Sequence, residues 1–368
     1  MLIKVERDVI SKALKHKGDE VNDARELLLS LMLANKRGMH IVWIPSVALY
    51  KSFEWQQIQE LIGEQNVQIL RKVTSKRLEI SAVLEKVNCY CVVSYIKPKS
   101  LTPNQIWINP AIYHEFRFDE ETHLITENLL DADFYKHVVL YFKRNNNLSS
   151  AKIAYYPLNG GGATTHQVLE LEVNRRRNFC LTIVDSDKHC LSGKRGQTCL
   201  DVENKYREYC KSDLASHVHM YDLKNVAEIE NLIPENILRK EGPIKQDSSI
   251  DILAVDWSYY DVKQGLKVTS IDCAKTLNSL QTLYTMHNFN DLNDLWEKKR
   301  NKEEFYKKAK DKGLETIIKT QWGSDILKRC EDKYASNLNS VTSVELSRNQ
   351  QKEWNSIGKE IYTWCCCF

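Results

Sequence analysis

Short apolar runs that end in acidic residues or in glycines constrain the fold of this chain more than any other feature. One run ends in Glu127, a second in the glycine triplet 160–162, and a third in Asp185 and Asp187. Stretches with helical periodicity separate the runs, and helices between successive strands force a parallel sheet with right-handed crossovers. The pattern therefore predicts an α/β fold whose strands end at one edge of the sheet, where ligand sites are expected.

The same periodicity assigns elements along the chain. In the central segment we expect strands over 122–127, 151–157, 180–185 and 217–222, and helices over 128–146, 164–176, 198–212 and 226–232. Nearer the start, helices over 24–38 and 52–65 alternate with strands over 39–45 and 88–96. We predict three parts: an α/β module of unknown role over 1–118, a central domain over 119–245 with a parallel sheet flanked by helices, and a mainly helical region over 246–368.

The acids at the strand ends have the spacing of a divalent-cation site. Asp185 and Asp187 are two residues apart at a strand end, where both can face one cavity. Glu127 and Asp131 are four apart, so they share one face if a helix begins after the strand. Mg²⁺ prefers carboxylate and phosphate oxygens, and crowded carboxylates raise one another's pKa unless a cation neutralises them. The alternative is that these acids are helix caps and solvated loop residues.

The glycine triplet Gly160, Gly161 and Gly162 suggests a backbone that can approach an anion closely. Its N–H groups could bind a substrate oxyanion, and Thr164 with Thr165 could cap the following helix. Glycine triplets also occur in plain loops, so this pattern alone is weak. The sequence contains neither GxxxxGKS nor GxxxxGKT, so no P-loop ATPase site is expected in it.

Glu127, Asp131, the glycine turn and the string Asp185-Ser186-Asp187, in this order, resemble a Toprim domain, the metal-binding module of topoisomerases, primases and OLD-family nucleases. The later string EIENLIP, over 228–234, resembles the OLD-type and related anti-phage defence nucleases in particular. The resemblance covers residues 120–235.

The resemblance implies a nuclease that uses Mg²⁺ or Mn²⁺, with two ions, to hydrolyse DNA or RNA. It implies metal ligands at Glu127, Asp131, Asp185, Asp187 and Glu230. Glu230 would complete the shell of the second ion or act as general base, and Glu228 is the neighbouring candidate for that role. Lys263 and Lys267 lie in the region where some related nucleases have a lysine near the metals, and the alternative is that they are surface lysines. The chain departs from the family at Asn128, where the family usually has glycine, and asparagine tolerates unusual turn geometry.

We therefore expect a metal-dependent endonuclease acting in anti-phage defence. Because the chain lacks a P-loop, we expect a separate sensor protein, an ATPase, to control it, and a homo-oligomer is left open. The runner-up is a non-catalytic protein that binds a nucleotide or nucleic acid through Mg²⁺, and Asn128 in place of glycine favours it. A topoisomerase or primase would need further parts that the sequence does not show.

Composition adds the expected compartment. The chain has 27% charged residues, but its net charge of +3 is too small to indicate nucleic-acid binding by itself. Charged residues begin at the fourth position and the longest apolar runs are far short of a bilayer, so we expect a cytoplasmic protein without membrane segments. The eleven cysteines form no CxxC pair and are expected to be reduced. The last residues, 365–368, predict a hydrophobic helix end docked on the protein body.

Overall fold

A computed structural model gives the architecture of the chain. It describes residues 1–14, 19–44, 52–75, 77–113, 115–188, 194–211, 216–241, 257–259, 261–263, 266–267, 316–318 and 322–368. Most of the predicted helical region between 246 and 321 lies outside these residues.

The first sheet is parallel and has the strand order β2-β1-β3-β4. Its strands are β1 (Leu2–Val5), β2 (Ile41–Trp43), β3 (Tyr90–Val93) and β4 (Gln105–Ile108). The helices between them are α1 (Arg7–Ala13), α2 (Asp19–Arg37), α3 (Ser52–Ile62), α4 (Glu64–Ser75) and α5 (Arg77–Lys86). The expected N-terminal alternation of helices and strands is confirmed, although β1 and β4 are strands that the periodicity did not predict.

The central sheet has the order β7-β5-β8-β9, and the pairs β5–β7 and β5–β8 are parallel. Its strands are β5 (Thr122–Thr126), β7 (Tyr155–Asn159), β8 (Cys180–Val184) and β9 (Val218–Asp222), and a short β6 (Lys152–Ile153) precedes β7. The intervening helices are α6 (Leu129–Asn145), α7 (Thr165–Arg175) and α8 (Gln197–Tyr209). An α/β fold with helices flanking parallel sheets is thus confirmed.

One expected element of the central segment is wrong. Residues 226–232 were expected to be helical, but only a single 3₁₀ turn forms, over Ile229–Leu232. The backbone of Ala227 bonds elsewhere, since its N–H donates to Ser258 and its carbonyl accepts from Ser186 and Asp187. A backbone committed to distant partners cannot also complete the bonds of an α-helix.

Contacts group the chain into two compact units. Unit 1 comprises Met1–Ile183, Asp201–Tyr221 and Ser356–Phe368, and unit 2 comprises Val184–Leu200 and Asp222–Asn355. Unit 2 also contains α9 (Glu235–Glu241), α10 (Ile326–Ser340) and the strand pair β10 (Leu266–Lys267) and β11 (Thr316–Ile318). The three sequential parts expected from the sequence are a different division, and they stay a prediction.

The last helix is α11 (Arg348–Cys365), and the strand β12 (Cys366–Cys367) follows it. In unit 1 this strand pairs antiparallel with β6, and Cys365, Cys366 and Cys367 are all buried. The α-amino group of Met1 donates to the carbonyl of Cys366 at 2.8 Å. The expected docking of the hydrophobic helix end is therefore confirmed.

Among the helices of the described residues, none is both long enough and apolar enough to cross a membrane.

Candidate functional site

The glycine turn after β7 fixes the backbone at the end of β5. The N–H of Gly160 donates to the carbonyl of Thr126 at 2.7 Å, and that of Gly161 to the carbonyl of Glu127 at 3.0 Å. A Cβ on Gly160 would meet the Thr126 carbonyl oxygen at 2.9 Å and collide with the hydroxyl of Thr165. Gly161 and Gly162 have φ angles of +71° and +61°, which favour glycine. The turn therefore holds Glu127 in place.

These hydrogen bonds correct the expected anion cradle. Because the N–H groups of Gly160 and Gly161 already donate to β5, they are not available to a substrate oxyanion. The threonines do not cap α7 as expected. The Thr164 hydroxyl donates to the carbonyl of Gly160 at 2.6 Å, and the Thr165 hydroxyl donates to Gly162 at 2.7 Å. Both side chains close the turn instead.

Asp131 and Asn128 form a capping box at the start of α6. The Asp131 carboxylate accepts from the Asn128 N–H at 2.8 Å, and the Asn128 side chain accepts from the Leu130 N–H at 3.2 Å. Asn128 is extended, with φ −135° and ψ 151°, so its replacement of glycine costs no backbone strain. The structure thus gives Asp131 a capping role, and its role as a metal ligand stays a prediction.

In unit 2, hydrogen bonds join residues 185–187, which follow β8, to the segment that carries Glu228 and Glu230. Asp185 accepts from the N–H of Ile229 at 3.0 Å. The N–H groups of Ser186 and Asp187 both donate to the carbonyl of Ala227, at 2.9 and 3.0 Å. Ser186 is fully buried, and Asp185 and Asp187 lie on either side of it in this hydrogen-bonded segment.

Gly196 determines where Asp187 can lie, and the sequence analysis did not identify it. Asp187 has a left-handed backbone with φ +50°. A Cβ on Gly196 would stand 2.6 Å from the Asp187 Cβ and would collide with its carboxylate, so no larger residue fits there without displacing Asp187. The N–H of Gly196 also donates to the carbonyl of Ser186 at 2.9 Å. A glycine that follows Arg195 and precedes Gln197 gave no signal of this role.

Lys263 joins the two glutamates that the sequence left as alternatives. Its ammonium lies 3.0 Å from Glu228 Oε2 and 3.3 Å from Glu230 Oε1. The side chains of Glu228 and Glu230 are 15% and 7% exposed, and that of Lys263 is 28% exposed. The structure therefore brings Glu228, Glu230 and Lys263 together in a site largely shielded from water.

The charges of this cluster are not balanced. Burial raises the pKa of Glu228 to about 7; Lys263 opposes this shift, while Glu230 and Asp261 add to it. Burial would lower the pKa of Lys263, but Glu230 and Glu228 raise it above its ordinary value, with a further contribution from Asp185. Two glutamates flank the Lys263 ammonium, so the formal charge of these three side chains is −1 when all are ionised.

The C-terminal helix supports the segment that carries the glutamates. Gln350 donates to the carbonyls of residues 231 and 233, both at 2.9 Å, and the indole of Trp354 donates to the carbonyl of Leu232 at 3.0 Å. The Glu353 carboxylate accepts from the backbone N–H groups of residues 224 and 225, at 2.9 and 2.8 Å. All three side chains are buried on one face of α11, and the sequence analysis identified none of them.

The structure thus brings together Asp185, Glu228, Glu230 and Lys263 in unit 2, whereas Glu127 and Asp131 belong to unit 1. Within the described part of the chain, no group of three or more His, Cys, Asp or Glu side chains is arranged to hold a metal ion. Lys263 lies between two of the carboxylates. The two-ion centre expected from the sequence therefore stays a prediction.

Comparison of the chain with protein-family models, curated proteins and solved structures found no match. The Toprim resemblance therefore rests on the residues named above.

Proposed function

We propose that this chain is a metal-dependent nuclease that hydrolyses phosphodiester bonds in DNA or RNA. The observation that carries the proposal is the buried, net-negative cluster of Glu228 and Glu230 around Lys263, with Asp185 attached to the same segment. Buried charge of one sign is costly unless a counter-ion or a proton compensates it. Strongly perturbed groups of this kind are concentrated at functional sites.

The chemistry of the carboxylate donors supports the binding of a hard divalent cation. Glu230 is buried, and its Oε2 has no hydrogen-bond partner among the described residues. Carboxylate oxygens of this kind are the ligands that Mg²⁺ and Mn²⁺ prefer. Glu230 and Asp185 would hold the ion, which would supply positive charge to the phosphoryl transition state.

Two further side chains have chemistry of their own. With a pKa near 7, Glu228 can take up and release a proton at neutral pH, the property required of a general base or acid. Lys263 stays protonated, so its ammonium can orient the two glutamates or a phosphate oxygen. The ligand roles of Glu127, Asp131 and Asp187 are retained in the proposal from the sequence pattern.

A cleavage assay tests the proposal. The purified chain is incubated with plasmid DNA, single-stranded DNA and transfer RNA, in Mg²⁺, Mn²⁺ or EDTA. We expect cleavage of at least one substrate with metal, none in EDTA, and a loss of at least about 100-fold in Asp185→Ala and Glu230→Gln. The matched control is Asp332→Asn, an exposed aspartate on α10, which should cleave at the wild-type rate. Wild-type activity in Asp185→Ala would contradict the assignment.

One observation favours the second candidate, a protein that binds nucleotide or nucleic acid through Mg²⁺ without cleaving it. Lys263 already pairs with both glutamates, which leaves less room for a second ion. Binding that requires Mg²⁺ and is lost in Asp185→Ala, without cleavage of any substrate, would support this alternative. Control by a separate ATPase remains a proposal for either function.

A further inference from the structure

A second cleft lies in unit 1, between α6 and the segment that leads into β7. It has a cavity volume of about 480 Å³, within the range of small-molecule sites. Three lysines line it: Lys136 and Lys143, seven residues apart on one face of α6, and Lys152 in β6. We call it the lysine cleft.

The lysine cleft carries uncompensated positive charge. Lys136 pairs with Asp133 at 2.6 Å, but neither Lys143 nor Lys152 has an ion-pair partner among the described residues. Because Glu121 is in the lining and Asp133 pairs with Lys136, the three lysines leave the cleft a formal charge of +1. Lys143 is half-buried, and this burial lowers its pKa, which shows that its charge is partly withdrawn from water. An anion in the cleft would relieve that cost.

The rest of the lining is mainly apolar. Leu140 is 37% exposed and lies with Val139 and Ile153 between the lysines. The hydroxyl of Tyr155 donates to the carbonyl of Ala132 at 2.6 Å, which fixes the ring at the wall of the cleft. A bare inorganic anion would leave this surface unused. The lining suits an anion attached to an aromatic body.

We propose that the lysine cleft binds a nucleotide, either free or within a nucleic-acid strand, with its phosphate at Lys143 and Lys152 and its base on the apolar wall. The lysine cleft is distinct from the carboxyl end of β5, where Glu127 lies. Glu121 immediately precedes β5 and Glu127 immediately follows it, so the strand separates them by roughly 20 Å at about 3.3 Å per residue. The inference does not depend on the proposed nuclease activity, because it involves no metal and none of the acids of unit 2.

Fluorescence anisotropy of labelled ATP, with the full-length chain in EDTA and low salt, tests the proposal. We expect saturable binding that weakens at least about tenfold in Lys143→Gln and in Lys152→Gln, since each change removes a charge-assisted contact to phosphate. Lys99→Gln is the matched control, an exposed lysine outside the cleft, and should bind as the wild type does. Leu140→Ala should weaken ATP binding but leave competition by inorganic phosphate unchanged. Thermal melts confirm that each variant is folded.

Competitors distinguish the two sources of the ligand. If a single-stranded oligonucleotide displaces labelled ATP at a lower concentration than unlabelled ATP does, the occupant is a nucleic-acid strand. If unlabelled ATP is the stronger competitor, the occupant is a free nucleotide. Three results would overturn the proposal: no saturable binding of ATP, equal affinity in the wild type and both lysine variants, or inorganic phosphate that competes as strongly as ATP.

Discussion

The substitution Lys263→Met tests the acidic cluster most directly, because it removes the one ammonium and keeps a side chain of similar length. In the wild type this ammonium lies 3.0 Å from Glu228 and 3.3 Å from Glu230. The variant would leave two buried glutamates facing each other without a counter-charge. We expect the variant to be less stable than the wild type, and we expect its free energy of unfolding to depend more strongly on pH and on divalent cations.

The magnitude follows from the burial of the three groups. Removal of one partner from a buried pair costs about 3–5 kcal/mol, and this range is reduced here because Lys263 is 28% exposed. Uptake of a proton by Glu228 reduces it further, since the pKa of that carboxyl is already about 7 and should rise when the ammonium is removed. We expect a loss of about 2–3 kcal/mol near pH 8 and of at most about 1 kcal/mol near pH 5.

Urea unfolding at about pH 5 and about pH 8, with and without Mg²⁺, measures these differences. If a divalent cation binds the cluster, Mg²⁺ should restore more stability to the variant than it adds to the wild type, because the competing ammonium is gone. Lys99→Met serves as the control for the loss of a surface charge. An unfolding free energy equal to that of the wild type at both pH values would refute the charge argument, and an absent response to Mg²⁺ would refute the cation site.

Two more substitutions probe the same region. The folded pKa of Glu228, about 7, exceeds its ordinary value of 4.5, so the stability that Glu228 contributes is complete below about pH 4.5 and is lost as pH rises towards 7, by at most about 3 kcal/mol. Glu228→Gln should therefore flatten the pH dependence of the unfolding free energy measured in urea titrations. An unchanged pH dependence would show that other groups cause it. Gly196→Ala should lower the free energy of unfolding by about 1–3 kcal/mol, because the added methyl group overpacks the space beside Asp187. It should also reduce metal-dependent cleavage as far as Asp187→Ala does. Cleavage at the wild-type rate would show that Asp187 need not keep its position.

The sequence predicted the central sheet well because its signals are local. The strand expected over 122–127 is β5, Thr122–Thr126, and the strand expected over 180–185 is β8, Cys180–Val184. Both are apolar runs bounded by helices of clear periodicity, so no distant contact was needed to find them. The expected strand over 151–157 divides into β6, which pairs with β12, and β7, which pairs with β5.

The glycine turn shows where local reasoning succeeds in part. The triplet was correctly expected to form a turn, and Gly161 and Gly162 have positive φ there. Its hydrogen-bond partners were not predictable, because they are the carbonyls of a strand more than thirty residues earlier. The sequence therefore identified the turn but assigned its N–H groups to a substrate, whereas the structure assigns two of them to the sheet.

The acidic site has the same dependence on distant residues: its four residues were named from the sequence, but the contacts that position them were not. The positions of Glu228 and Glu230 follow from a segment whose backbone is held by Gln350, Glu353 and Trp354, more than one hundred residues later. One signal was present in the sequence, since glutamine and glutamate lie beside tryptophan on one helical face, and polar side chains on a buried face must bond to something. What they bond to required the fold. A carboxylate as buried as that of Glu353 is costly unless it is fully hydrogen-bonded, and its bonds to the backbone of residues 224 and 225 meet that requirement. The C-terminal helix is therefore part of the scaffold of the site, although it carries none of the predicted catalytic groups.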